Sequence, residues 1–444
     1  MLGEKVIEKK RADLSPLWLT EDWWTLWLGS IILVLASFGL IANIPRLPRW
    51  TESLSSALPL DLVPAILVLG ACIAMITGVA VGVMKQGVKT EMGQYLTGFP
   101  IVFALAVLAF VIGNQTSLRH YGFNDVIWAL VLGMLVSNVF GKPKWLVPAL
   151  RTELFIKTGL VLMGAEILLN RILTLGFFGM GVAWLVTPIV IIFMYMYGTR
   201  ILKIQSKSMV ATVAACTSVC GVSAAIAAGA ATKAKKEEIS FAISVSLIFT
   251  IIMMIGMPIL IRAMGLGAAV GGAWIGGTVD STGAVVVAGS MLGQTAMEIA
   301  AVIKMLQNIL IGFVAFVLAT FWIARVERNP YEPRPSVLEI WNRFPKFILG
   351  FILASAVFSL VLIPLVGQDQ VDTILRSTAG LKNWLFALAF VCIGLDSRLA
   401  DMAKVCRGKA PLKLYVVGQT FNVILTLLAA WIIFSGRFFG SLHL

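Results

Sequence analysis

An all-α polytopic membrane protein is the fold class this sequence predicts, and three observations predict it. Hydrophobic residues fill 59% of the 444 positions and charged residues only 13%, about half the charged share of a soluble domain. The mean hydropathy is +0.94. The apolar residues gather in runs of about 20, the length a membrane helix needs, with short polar loops between them. Full crossings fall near 25–44, 62–84, 95–112, 123–140, 153–169, 172–197, 239–261, 298–323, 346–366, 381–396 and 411–435. Two further segments, 208–232 and 269–291, have a different character.

Charge sets the orientation. The net charge of +13 would suggest nucleic acid as a partner in a soluble protein. Here the Lys and Arg residues concentrate in the loops that a cytoplasmic N-terminus would place inside, which is the positive-inside pattern. The expected partner is the lipid bilayer, not nucleic acid. Residues 1–11 are polar and basic, unlike a cleavable signal peptide, and Trp18, Trp23, Trp24 and Trp27 follow as an interfacial belt. Residues 1–120 are expected to form a peripheral bundle and 121–444 a transporter core. Polar stretches such as Arg325–Pro335 are too short for a soluble domain.

The first unusual segment contains ATVAACTSVCGVSAAIAAGAAT, ending at Thr232; the second contains GGAWIGGTVDSTGAVVVAG, ending at Gly289. Both are rich in Gly, Ala, Ser and Thr and nearly lack the Leu and Ile that suit lipid. Each is expected to be a re-entrant or broken helical hairpin, unwound at mid-membrane and buried in protein. In the first, Thr217, Ser218, Cys220, Gly221 and Ser223 cluster at the tip. Gly221 permits a turn, and a helix starting near Val222 would aim its positive end there. Hydroxyls and freed N–H groups together suit a small oxyanion. Close helix packing through small residues is the competing explanation.

In the second segment the candidates are Gly277, Thr278, Ser281 and Thr282, with Asp280 among them. A carboxylate inside an apolar segment is costly and points to function, such as holding a coupling proton or Na⁺. The alternative is an Asp at the aqueous edge capping the next helix. Lys304, Gln307 and Asn308 share one helical face. Lys304 needs a partner or an anion there, unless it snorkels to the interface. Lys157 and Glu166 are expected near the ends of one helix, solvated or interfacial.

The remaining chemistry is sparse. Cys72, Cys216, Cys220, Cys392 and Cys406 read as free thiols, and Cys216-x3-Cys220 lacks further ligands, so no metal or other cofactor is expected. No catalytic motif appears, His120 and His443 stand alone, and no enzyme activity is expected.

Two stretches repeat. Val161–Glu166 (VLMGAE) matches Val391–Asp396 (VCIGLD), and Ser223–Gly229 aligns with Gly283–Gly289. The order of helix and hairpin differs between the halves, so a real repeat would be permuted and inverted. Chance similarity between Gly/Ala-rich segments is the alternative.

CTSVCGVSAAIAA with KKEEISFAISVSLIFT, then GGAWIGGTVDSTGAVVVAG, then EIAAVIKMLQN resemble the YeiH family of bacterial membrane proteins, labelled sulfate exporters. The resemblance runs roughly from Val126 to Phe434 and includes KTGLVLMGAEI and FPKF. It implies a homodimeric transporter with inverted repeats in the bacterial inner membrane, moving a small inorganic or organosulfur anion such as sulfate or sulfite. Thr217, Ser218, Cys220, Gly221 and Ser223 fall on the family's TSxCGxSA segment, and Lys304 on the Lys of its A-x-x-x-K helix. Where family members often carry His, an acid and Gln, this chain has Asp280, Ser281 and Ala284.

The expected function is therefore secondary active transport of a small anion by alternating access, with H⁺ or Na⁺ as coupling ion. The solute would lie between Thr217–Ser223 and Thr278–Thr282, with Lys304 adding charge. A cation/proton antiporter using Asp280 fits the same residues. An intramembrane enzyme on a lipid-linked substrate, or a structural role, fits them less well.

Overall fold

The structure, a computed structural model, describes residues 15–41, 44–51, 54–120, 125–322, 326, 341, 344–397 and 409–438. The basic residues 1–11, the Arg325–Pro335 loop except position 326, Cys406 and His443 lie outside the described residues.

Among those residues, nine helical stretches are long and apolar enough to cross a membrane. The first helix, α1 (Glu21–Ser37), opens with Glu21 and Asp22 in its first turn, where acids suit the positive end of the helix dipole. Next come α2 (Val63–Met84), α3 (Val88–Gly113), α4 (Asp125–Val139), α5 (Thr152–Glu166) and α6 (Leu169–Met196). The first hairpin follows as α7 (Lys207–Ala215), a π-turn (Cys216–Cys220) and α8 (Gly221–Ala231). After α9 (Lys236–Ala263), the second hairpin is α10 (Ala268–Thr278) and α11 (Thr282–Leu292). The described chain closes with α12 (Gln294–Phe321), α13 (Phe347–Val357, prolonged to Val366), α14 (Gln368–Asp396) and α15 (Lys409–Phe434).

Eight of the expected crossings match one of these stretches, with shifted ends; α1, α4 and α5, of 17, 15 and 15 residues, are shorter, and the ninth stretch, Lys207–Ala231, is the first hairpin. The first crossing stops at Ser37 rather than 44, and α14 begins at Gln368, well before 381. The early start of α14 escapes hydropathy because its first three turns carry Asp369, Asp372 and Arg376. Gly293, at φ +122° with open space around it, lets α11 turn into α12 through one residue, a conformation that favours glycine.

The helices pack as two exchanged sets. α14 lies on α4 as α13 lies on α5; α6 lies on α15; α8 lies on α12 as α11 lies on α9; and α10 lies on α15 as α7 lies on α6. The repeated hexapeptides share this pattern in detail. A Cβ on Gly164 would strike the backbone of Phe351, and one on Gly394 the backbone of Leu130 and Gly133. Immediately after each hexapeptide, the carbonyl of Ile167 accepts from Ser355 Oγ at 2.5 Å, and that of Ser397 accepts from Asn138 Nδ2 at 3.0 Å. Equivalent positions thus make equivalent contacts, which favours a permuted repeat over chance likeness. The turns of both hairpins and the first half of α12 are buried within this arrangement, whereas α2, α6 and α9 keep apolar faces exposed.

Candidate functional site

The first hairpin forms because its sequence cannot sustain one straight helix. Ser206 starts α7 by accepting from the Met209 N–H at 3.2 Å. Past Ala215 the helix widens into the π-turn, where Thr217 Oγ1 donates to Val213 O at 2.8 Å and Ser218 Oγ to Ala214 O at 2.6 Å. Such back-bonding bends helices. The chain reverses at Gly221, φ +20°, and α8 folds back along α7, which the halves of a continuous helix could not do. In the second hairpin Val279, Asp280 and Ser281 form the turn, with Val279 and Ser281 extended, and α11 returns along α10.

The two turns meet. A Cβ built on Gly221 would lie 3.3 Å from the Asp280 carbonyl oxygen and 2.8 Å from Ser246 Oγ. Around this junction the carbonyl ends and the amide ends of the broken helices are treated differently. The carbonyls are capped by donors from α12 and α15. Lys304 Nζ donates to Val219 O at 2.5 Å and to Gln307 Oε1 at 2.7 Å. Gln307 Nε2 donates to Ser218 O at 2.8 Å and Gly277 O at 3.2 Å. Gln419 Nε2 serves Thr278 O at 3.2 Å, and Asn422 Nδ2 serves Thr217 O at 3.4 Å. At the amide ends, neither Cys220 before α8 nor Ser281 before α11 makes a side-chain cap.

Those amide ends border a cavity of about 300 Å³. Its walls bring Cys220, Ser223, Thr282 and Asn308 together with Asp22, Glu153 and Lys157. Asn308 Nδ2 donates to Thr282 Oγ1 at 3.0 Å, while Asn308 Oδ1 and Thr278 Oγ1 are buried without a hydrogen-bond partner among the described residues. Lys157 Nζ pairs with Asp22 Oδ1 at 2.7 Å and Glu153 Oε2 at 3.2 Å, and stands 5.6 Å from the Phe347 ring centre. Near the same mouth, Lys346 turns onto its own loop at Phe344 O, 2.8 Å away; burial pushes its ammonium below the usual range, against the pull of Asp22.

Asp280 stands on the other side of the turn, 2% exposed. Its Oδ2 accepts from Ser246 Oγ at 2.9 Å and from the Tyr415 hydroxyl. Ser281, not Asp280, occupies the position before α11, so the capping explanation does not hold. Lys304 is 1% exposed and committed to a carbonyl, so it does not snorkel.

The expected residues therefore divide. Cys220, Ser223, Thr282 and Asn308 line the cavity. The Thr217 and Ser218 hydroxyls face their own helix. Gly277 packs against Thr426 and Val182. Lys157 and Glu166 are a correction: Lys157 is mostly buried, and Glu166 pairs with Lys382, which is 4% exposed at its side chain. Sequence reasoning missed Asp22 and Glu153, and also Tyr415, Gln419, Asn422 and Thr426. The last four had a signal, since their spacing of 4, 3 and 4 places all of them on one face of an apolar helix. Among the described residues no group of three His, Cys, Asp or Glu side chains could hold a metal ion.

A family model described as conserved hypothetical protein 698 matches residues 97–413. A UPF0324 membrane protein of Rhodopirellula baltica is 49% identical over 77% of this chain and 64% of its own length. One from Nitratidesulfovibrio vulgaris is 47% identical over 80% of this chain and 62% of its own. A relative in Nitrosomonas europaea is 27% identical over 94% of this chain and 96% of its own. The chain thus spans a little under two thirds of the length of the first two relatives. No solved structure matches it.

Proposed function

The chain belongs to the conserved hypothetical protein 698 family of UPF0324 membrane proteins, and on that footing we propose that it is a secondary transporter of small oxyanions such as sulfate or sulfite. One observation carries the reading: where two broken helices meet, donors of α12 and α15 cap the carbonyls, while the amide ends at Cys220 and Ser281 stay uncapped beside a cavity. An uncapped helix N-terminus directs N–H groups and a positive partial charge at its neighbour, which suits an anion. Broken helices converging at mid-membrane are a common way for transporters to build such a site. Thr282, Ser223 and the Asn308 amide would add neutral donors.

In this reading the protein is a multi-pass protein of the bacterial inner membrane with a cytoplasmic N-terminus, and the cavity opens inward past Asp22, Glu153 and Pro345. Asp280, held by Ser246 and Tyr415, is the place for a coupling proton or Na⁺. Lys304 braces the first turn, and its charge lends positive potential to the site. The assembly is a homodimer.

A second reading has one observation in its favour. Asp280 is buried and has no ion pair among the described residues, as a cation/proton antiporter would require. Proteoliposome flux separates the two. Uptake of labelled sulfate or sulfite driven by an H⁺ or Na⁺ gradient supports the anion reading; Na⁺-dependent pH change with no anion flux supports the antiporter.

A further inference from the structure

The least expected residue on the cavity wall is Asp22. It belongs to α1, before the part of the chain matched by the family model, and reaches Lys157 across 135 positions of sequence. Among the described residues Lys157 is the one cation lining the cavity, and it has two carboxylates on it, at 2.7 Å and 3.2 Å. These acids are not equivalent. Glu153 sits one turn before Lys157 on α5, so backbone geometry supplies the pair. Asp22 comes from another helix, and its side chain is 30% exposed.

The three charges that the described residues place on this wall sum to one excess negative, a poor receptor for an anion unless one carboxylate can give way. If Asp22 moves, Lys157 keeps Glu153 and gains one free face, so its charge is never stranded in the buried wall. Lys157 lines the same space as Cys220, Ser223, Thr282 and Asn308.

We propose that Asp22 is a built-in competitor: its carboxylate occupies the Lys157 ammonium until an oxyanion solute entering the cavity displaces it. This rests on the anion reading above and adds a charged residue to that site. Lys157 binds the solute directly, and Asp22 sets the affinity. The rest of α1 is held against α5, where Gly29 has no room even for a Cβ beside Val161, so only its first turn needs to adjust.

The test uses Cys220 as a reporter on the cavity wall, in the full chain with Cys72 and Cys406 replaced by serine. The anionic reagent sulfonatoethyl methanethiosulfonate is compared with the neutral methyl methanethiosulfonate. Asp22→Asn raises the anionic-to-neutral rate ratio at Cys220 several-fold, and Lys157→Gln lowers it. In the double variant the effect of Asp22→Asn disappears, because its target is gone. An equal rise with or without Lys157 shows only a change in local field and overturns the proposal, as does no rise in Asp22→Asn alone. Asp22→Asn keeps a side chain of the same shape, so it stays informative if Lys157→Gln folds poorly. A second arm adds sulfate. It protects Cys220 in the wild type, and at a several-fold lower concentration in Asp22→Asn. If sulfate does not protect the wild type, the sulfate-transport reading fails, while the labelling cycle still decides the role of Asp22.

Discussion

Gly221 backs directly onto Asp280, and the contact leaves no space for a side chain. A Cβ at 221 would come within 3.3 Å of the Asp280 carbonyl oxygen and 2.8 Å of Ser246 Oγ. The backbone there is also at positive φ. Gly221→Ala thus combines crowding with strain of order 1–3 kcal/mol. It is expected to lower the Tm of the purified protein and abolish flux. Gly256, in the interior of α9 with nothing within 4 Å, supplies the contrast. Gly256→Ala is expected to be neutral or to stabilise by up to ~1 kcal/mol. Equal behaviour of the two variants in a thermal melt would remove the junction from the account.

Lys304 can be separated into a hydrogen-bond donor and a charge. Lys304→Met leaves the buried Val219 carbonyl without its donor, a cost of about 1–3 kcal/mol. Lys304→Gln retains an N–H able to reach the turn, so it should recover most of the Tm that Met loses. Flux should stay low in both if the ammonium contributes potential to the solute. Wild-type flux in Lys304→Gln would leave Lys304 as a brace alone.

The legible and illegible parts of the site differ for a physical reason. The hairpins could be read because lipid excludes Gly, Ala, Ser and Thr runs from its surface, so composition betrays burial. Asp280 and Lys304 could be read because isolated charges in apolar helices are rare. Direction could not be read: Lys304 was expected at the solute and is found on a carbonyl, while Lys157 was expected to be solvated or interfacial and is found on the cavity wall. Its partner Asp22 lies on another helix, and no local spacing encodes such a pair. Thr217 and Ser218 show the same limit, since a hydroxyl in a helix can bond inward to the turn before it or outward to a ligand, and the sequence is identical in both cases.

Asp280 is expected to govern coupling rather than solute recognition, because it touches Ser246 and Tyr415 and does not line the cavity. Asp280→Asn preserves the shape and one acceptor but can neither hold a proton in exchange nor carry charge. Gradient-driven flux should collapse while anion-for-anion exchange persists. Tyr415→Phe, which removes one donor to the carboxylate, should shift the pH dependence of flux without abolishing it. Full gradient-driven flux in Asp280→Asn would place the coupling group elsewhere.

The acids that end the two matching hexapeptides are each ion-paired, and burial decides which pair matters. Glu166–Lys382 has side-chain exposures of 14% and 4%, whereas Lys142–Asp396 has 31% and 45%. Water competes for the second pair, so removing it should cost under ~1 kcal/mol. Removing one partner of the first leaves a desolvated charge unpaired, at about 3–5 kcal/mol. Glu166→Gln is therefore expected to lower Tm steeply and Asp396→Asn hardly at all, although the acids occupy matching positions. The double variant Glu166→Gln/Lys382→Met removes both charges and should recover much of the loss, because the larger cost is the stranded ammonium and not the missing attraction. Comparable melting temperatures for Glu166→Gln and Asp396→Asn would mean that water reaches the first pair, and that the tight approach of α5, α13 and α14 around it does not hold in the membrane.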